Sequence, residues 1–499
     1  MSPSLAEELS STPKIVQNWI DGAPVSAAAS TSSLEEVTCP ATGKIIAMVP
    51  VSSVDDVNQA VSAAKKAFVS WSARTVKDRV QILMRYHQLV IKHADELADL
   101  IVLEHGKNKL EALQELSKAN ETVEYSISLP QLMQGKILEV SRGVFCEDRR
   151  SPLGVVVSIV PFNFPAMVPH WTMPIAIATG NTFILKTSEK VPLTMCRCAE
   201  LLKEAGLPDG VFNVVHGTAE TVTALIDHKD VVGVTFVGST PVAEIVAKRA
   251  RALNKRVLAL GGAKNHLVAA PDCNIEMTSS DVVASYTGCT GQRCMAASVL
   301  LTLGPAQPLL DKIIEKSKAI QPGQTNGKLG PVIDKISQAK ILKYINEAEA
   351  GGAKIVLDGR GWSTSQQEGN WVGPTIVIHS SKADRLLHEE AFGPVLSIYQ
   401  CESKEEAIEI ENGNPYGNAA CIYTENGGVA SWFNAHFSAG MLGVNIGVPV
   451  PREPFSFGGW NRSKFGDMDI TGDGGIEFFT NRKKVTTKWA PPPEASWMS

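Results

Sequence analysis

No apolar run in the 499 residues approaches the roughly 18 uninterrupted positions that a membrane-crossing helix needs, so none is expected. Positive charge is not in surplus either. Lys and Arg number 47 against 52 Asp and Glu, a net charge of −5, and that balance points away from nucleic acid. Cysteine is sparse and unpatterned: nine residues, an odd number at irregular spacing, which argues for reduced thiols rather than a disulfide framework. The one close pair, Cys196 and Cys198, has no His or Cys cluster beside it, so packing is expected there and no metal anywhere. Internal repeats and low-complexity tracts are absent. Positions 1–14 hold Glu7 and Glu8 and no Arg. They lack the apolar core of a secretory leader and the basic character of a mitochondrial one, and Trp497, Met498 and Ser499 form no peroxisomal address. The cytoplasm is the expected compartment.

What is present is an ordinary globular composition, 44% apolar and 20% charged, in a chain long enough for two or three domains. Helical and strand patterns alternate almost throughout, which reads as α/β with parallel sheets. Ser53 followed by Asp56 resembles a capping box, and Val54, Val57, Val61, Ala64 and Phe68 then recur at helical spacing. Strands are expected at 155–160, 182–186, 211–215 and 231–237. A helix runs from about Leu193 to Gly206, with Pro208 just beyond, and another from Gly238 to about Leu253. A strand at 257–260 runs into Gly261 and Gly262, where the character changes and a domain boundary is expected. A second α/β block continues to about Asn445, with strands at 298–303, 354–357 and 395–399. The Pro-rich tail beyond Ala490 reads as irregular.

Four loops carry residues able to do chemistry. Cys294 lies in Gly291-Gln292-Arg293-Cys294-Met295, between a helical pattern and a strand. A thiolate is a strong nucleophile where positive charge or a helix N-terminus lowers its pKa, although a lone cysteine is more often a small buried apolar residue. Pro161-Phe162-Asn163-Phe164-Pro165 follows a strand, where α/β proteins place ligand groups. The Asn163 amide could donate to a developing oxyanion, or could be an ordinary turn asparagine. Lys186 and Glu189, three apart past another strand, could grip the two hydroxyls of a ribose, or simply begin a helix. Phe236-Val237-Gly238-Ser239-Thr240 opens a helix and would let a pyrophosphate approach its positive end. As a glycine signal it is weak, because G-x-G-x-x-G is missing.

Taken in order, and with Glu390-Ala391-Phe392-Gly393-Pro394, these segments resemble the successive signatures of the aldehyde dehydrogenase superfamily over nearly the whole chain. The resemblance implies a nucleophilic Cys294 that forms a thiohemiacetal and then a thioester, with Asn163 and the Cys294 N–H on the oxyanion. It implies NAD as cofactor, with Lys186 and Glu189 on the adenosine ribose, Gly238 and Ser239 at the pyrophosphate, Glu390 on the nicotinamide ribose, and Phe162 and Phe392 beside the cofactor. It also implies a Rossmann-like cofactor domain (1–130 and 152–258), a catalytic α/β domain (259–469) and a small β oligomerisation arm (131–151 and 470–499), in a homodimer or homotetramer.

The departure is informative. Most of the superfamily carries Glu-Leu-Gly-Gly, whose Glu activates the water that hydrolyses the thioester. This chain has Leu258-Ala259-Leu260-Gly261-Gly262, and a methyl group cannot accept a proton. The segment from Gly262 to His266, the run from Arg293 to Ala296 and the stretch from Pro454 to Phe457 resemble the CoA-acylating branch typified by methylmalonate-semialdehyde dehydrogenase. That branch oxidises malonate or methylmalonate semialdehyde, loses CO₂ and yields acetyl-CoA or propionyl-CoA. Its substrate carboxylate is held by arginines. Arg293 occupies one such position, and Lys118 falls at the other, keeping the charge without the planar fork. Two other readings stand beside this one. One is a hydrolytic aldehyde dehydrogenase whose base comes from elsewhere, such as Glu390. The other is a non-catalytic structural member, against which the joint presence of Cys294, Asn163, Lys186 and Glu390 argues.

Overall fold

Ser53 closes a capping box with Asp56 in the computed structural model. Its Oγ accepts the Asp56 N–H, while Asp56 Oδ2 accepts the Ser53 N–H at 2.8 Å. The structure describes residues 13–27, 33–365 and 368–490; the irregular tail expected beyond Ala490 falls outside them. The capped helix, Val54–Ser72, lays Val57, Val61 and Ala64 against a sheet, and Phe68 is half-buried. Val54, the first helical residue, lies beyond that packed face and is exposed, unlike the rest of its stripe.

The sheet beneath has eight strands. Its five central strands are parallel and run in the spatial order Arg256–Leu260, Val231–Val237, Val155–Ile159, Thr182–Lys186 and Phe212–Val215. They are almost entirely buried, with apolar clusters on both faces, which is why they read as near-continuous apolar runs rather than alternating ones. The order reverses between Val155–Ile159 and Val231–Val237. The crevice past the carboxyl ends of those two strands is where such sheets take ligands. Antiparallel strands finish both edges: Lys464–Gly466 on one, Asn18–Ile20 and Ala23–Val25 on the other. The expected boundary at 258/259 falls inside Arg256–Leu260, which stays in this sheet to its last residue, and Lys464–Gly466 returns to it from far along the chain.

A second sheet of seven strands begins at Asn265–Ala269, which lies between Ala297–Leu303 and Ala419–Tyr423. Six of its strands are parallel, and the edge strand Lys354–Leu357 is antiparallel. A third sheet, of Lys136–Ser141, Val144–Pro152 and Thr480–Lys488, projects as an antiparallel ribbon. Cys196 and Cys198 sit in the helix Leu193–Glu204. Cys198 is fully buried, and burial pushes its thiol up to about 12. All nine cysteines are free. Among the described residues no helix is long and apolar enough to cross a membrane, and no group of three His, Cys, Asp or Glu side chains could hold a metal ion.

Candidate active site

The loop before Cys294 is bent hard. Cys289, Thr290 and Gly291 have φ of +50°, +57° and +71°, three left-handed residues in succession. The first two carry a Cβ, and such positions cost about 1–3 kcal/mol each unless their surroundings hold them. Here the Cys289 N–H donates to Glu111 Oε1 at 2.7 Å, Thr290 Oγ1 donates to the Gly330 carbonyl at 2.9 Å, and Gln292 Oε1 accepts the Ile333 N–H at 3.0 Å. Glycine is required at 291 on a second count: a Cβ there would stand 2.0 Å from the Gly393 carbonyl oxygen. The segment containing Glu390 and Phe392 is thereby seated directly on the loop that carries Cys294. Beyond the bend the carbonyl of Cys294 receives Asn265 Nδ2 at 2.8 Å and Asn418 Nδ2 at 2.9 Å.

Asn163 reaches the same loop from the end of Val155–Ile159. Its Nδ2 donates to the Gln292 carbonyl at 3.0 Å, two residues ahead of Cys294, and the amide carries a second N–H besides this one. An ion pair that the sequence did not disclose anchors this loop. Lys107 Nζ lies 2.5 Å from Glu115 Oε2, both side chains fully buried, and donates to the Asn163 carbonyl at 2.9 Å. Glu115 Oε1 in turn accepts the N–H groups of Ala166 and Met167. Lys107→Met should therefore destabilise the fold by about 3–5 kcal/mol, because it leaves Glu115 charged and unpaired in the interior. A denaturant titration within about 1 kcal/mol of wild type would contradict the burial of this pair.

Burial pushes the Cys294 thiol up to about 12, and the charge of Glu390 adds to that; the N–H groups of Cys294 and Met295 and the Arg293 guanidinium oppose it. Glu390 is itself raised to about 7 by burial, against the Ala263 N–H at 3.3 Å and the charges of Lys340 and Lys264. Lys264 is lowered to about 7, again by burial. Ala259 is fully buried in the apolar cluster that includes Phe236 and Ala243, whereas Cys294 packs against the cluster that includes Leu258 and Leu260.

The remaining expected site residues divide into two groups. Lys186, at the end of its strand, donates to the Gly217 carbonyl at 3.1 Å and lies 3.6 Å from Glu189 Oε2. Ser239 precedes the helix Thr240–Ala252 and makes no capping bond, so the first N–H groups of that helix are not met by its side chain. A Cβ at Gly238 would stand 2.6 Å from the Phe236 ring. Phe162 meets Phe392 edge to face at 6.0 Å between centroids. An uncapped helix end and a glycine approach at the sheet's switch point, with a Lys–Glu pair at the end of the neighbouring strand Thr182–Lys186, fit the pyrophosphate and adenosine ribose of a dinucleotide. The two expected substrate cations are less free. Arg293 packs over Gly288 and lies 3.5 Å from Glu111 Oε1. Lys118 is bound at 2.9 Å to both Glu121 and Glu453, so two carboxylates already compete for its charge.

The aldehyde dehydrogenase family model matches residues 27–485. Malonate-semialdehyde dehydrogenase 2 of Oceanobacillus iheyensis is 44% identical over 487 residues, covering 96% of this chain and 99% of that protein. A crystal structure of methylmalonate-semialdehyde dehydrogenase from Oceanimonas doudoroffii superposes with a TM-score of 0.94 at 39% identity, covering 97% of this chain and all of that one. The NAD+ complex of an aldehyde dehydrogenase from Bacillus cereus superposes with a TM-score of 0.90 at 28% identity over 98% of this chain and 99% of its own.

Proposed function

We propose, from the premise that this chain belongs to the aldehyde dehydrogenase family, that it oxidises malonate or methylmalonate semialdehyde with NAD and passes the acyl group to CoA. The observation that carries the acylating half is in the sequence: Ala259-Leu260-Gly261-Gly262 has alanine at the place where most of the superfamily carries the water-activating Glu of Glu-Leu-Gly-Gly.

Cys294 Sγ forms a bond to the aldehyde carbon, and the carbonyl oxygen takes the negative charge. The free N–H of Asn163 and the N–H of Cys294 receive it, and donors already held in place cost nothing to reorganise at that moment. NAD, when bound, supplies the acceptor for the two electrons and the hydrogen lost from the aldehyde carbon, and a thioester remains on Cys294. A substrate with a β-carboxylate then loses CO₂: the C–C bonding pair moves toward the thioester carbonyl, and the resulting enolate oxygen occupies the same two N–H groups. After protonation at carbon, the CoA thiolate attacks the thioester carbonyl and the bond to Cys294 breaks. Arg293 holds the substrate carboxylate; Lys118, shared between Glu121 and Glu453, contributes less. Lys186 and Glu189 hold the adenosine ribose, Gly238 and Ser239 admit the pyrophosphate, Phe162 and Phe392 flank the cofactor, and Glu390 takes the nicotinamide ribose.

Glu189 also sets cofactor choice. Its carboxylate accepts from a 2′-hydroxyl and repels a 2′-phosphate, so kcat/KM with NAD should exceed that with NADP by roughly ten- to a hundredfold. Equal efficiency with the two cofactors would remove Glu189 from the ribose. Product analysis tests the whole assignment. Malonate semialdehyde with NAD and CoA should give acetyl-CoA and CO₂, and free malonate as the main product would refute it.

A hydrolytic reading has one observation in its favour: Glu390, with its carboxyl raised to about 7, acts electrostatically on Cys294 and could serve as a base near neutrality. The enzyme works in the cytoplasm as a homodimer or homotetramer joined through the ribbon of Lys136–Ser141, Val144–Pro152 and Thr480–Lys488. Exposed Ile137 and Leu138 on its edge strand support that contact surface.

A further inference from the structure

Asn265 and Asn418 have had no part in the chemistry so far. Asn265 opens the strand Asn265–Ala269, Asn418 immediately precedes Ala419–Tyr423, and the two strands pair in parallel. Both side chains are buried, and both aim Nδ2 at one atom, the Cys294 carbonyl oxygen, at 2.8 and 2.9 Å. The orientation of the Asn265 amide is settled by its neighbours. Its Oδ1 accepts the Ala419 N–H at 3.0 Å and its Nδ2 also reaches the Ala296 carbonyl at 2.9 Å, so the end facing Cys294 is the donor. Asn418 Nδ2 lies 3.0 Å from Met295 Sδ as well. The carbonyl that both hold belongs to the Cys294–Met295 peptide. The N–H of that same peptide, on Met295, favours the Cys294 thiolate, as does the N–H of Cys294 itself. Hydrogen bonds accepted at the oxygen of a peptide polarise the N–H at its other end.

We infer that Asn265 and Asn418 are positioning residues for the nucleophile, acting through the Cys294–Met295 peptide whose carbonyl they hold, so as to polarise its N–H and favour thiolate over thiol. The inference rests on the reading of Cys294 as the nucleophile. Of the charged groups around the sulfur, Glu390 acts against the thiolate and Arg293 for it. The two amides do not titrate, so their contribution persists across the pH range in which the fold does.

The test is the pH dependence of Cys294 alkylation by iodoacetamide in the full-length protein, with the modified residue identified by mass spectrometry. Asn418→Leu keeps the volume and removes the donors. Its alkylation midpoint should move upward, and the rate at any pH below that midpoint should fall roughly three- to tenfold, the scale of one lost hydrogen bond. Asn418→Asp, which sets a carboxylate against the carbonyl, should move the midpoint further in the same direction. Asn265→Ala should act like Asn418→Leu; because it also removes the bonds to Ala296 and Ala419, Asn418→Leu decides the matter if the Asn265 variant does not fold. A folded Asn418→Leu whose midpoint stays at or below the wild-type value overturns the inference, since mere loosening of the loop changes rates without moving the midpoint. The NADH burst separates this from the underlying reading: if alkylation shifts and the rate of the pre-steady-state burst does not follow, Cys294 is not the nucleophile.

Discussion

Cys294→Ala reduces aldehyde oxidation below about one per cent of wild type while cofactor binding and the fold persist. The covalent step needs one sulfur, and no other side chain at the loop can supply it. Cys289, five residues earlier, is the rival nearest in sequence. It is fully buried under the bend, its φ of +50° is held by Glu111, and burial raises its thiol, although Lys107 and Arg293 pull the other way. Cys294 is only partly buried at the edge of its apolar cluster, so losing its Sγ removes little packing. Cofactor affinity by fluorescence titration and thermal stability should match wild type. Residual turnover above about one per cent, or a variant that loses NAD binding along with activity, would move the chemistry elsewhere.

The parts of this site that sequence could reveal are local. Ser53 and Asp56 are three residues apart, so a capping box can be seen without a fold. Phe162, Asn163, Lys186, Gly238 and Ser239 follow apolar runs directly, so their place at strand ends can be read from periodicity. The parts it could not reveal join distant residues. Glu453 lies 335 positions from Lys118, and nothing local to Lys118 shows that its charge is spoken for. Asn418 meets the Cys294 carbonyl across 124 positions, through the adjacency of strands that no spacing encodes. Lys107 and Glu115 are eight apart, but their burial depends on the loop from Asn163 to Met167 folding over them. The left-handed run at Cys289 and Thr290 carries no glycine until Gly291, so its bend is imposed by Glu111 and Gly330 rather than announced by composition.

Without CoA, a pre-steady-state burst of NADH stoichiometric with active sites should be followed by a slow steady rate. Oxidation to the thioester does not need a water-activating base, whereas hydrolysis of the thioester does, and such a base is typically worth about 10²–10⁴ in rate. Saturating CoA should raise the steady rate by a factor in that range and leave the burst amplitude unchanged, because a thiol nucleophile relieves only the second step. Ala259→Glu then asks whether the missing carboxylate alone is responsible. The structure sets a stricter expectation than the sequence did. Ala259 is fully buried in the cluster with Phe236 and Ala243, on a different apolar cluster from the one Cys294 packs against. A carboxyl forced into that cluster would be held neutral by desolvation and would make a poor base at pH 7. Hydrolysis in Ala259→Glu should therefore rise only at alkaline pH, and at a cost in stability. Glu390→Gln isolates the other reading. If steady turnover without CoA equals that with CoA in the wild type, yields the free acid, and collapses in Glu390→Gln while the NADH burst is retained, then Glu390 is the hydrolytic base and the acylating assignment is wrong. If instead the slow phase without CoA is unchanged in Glu390→Gln, the thioester is waiting for a thiol because neither position 259 nor position 390 can activate water.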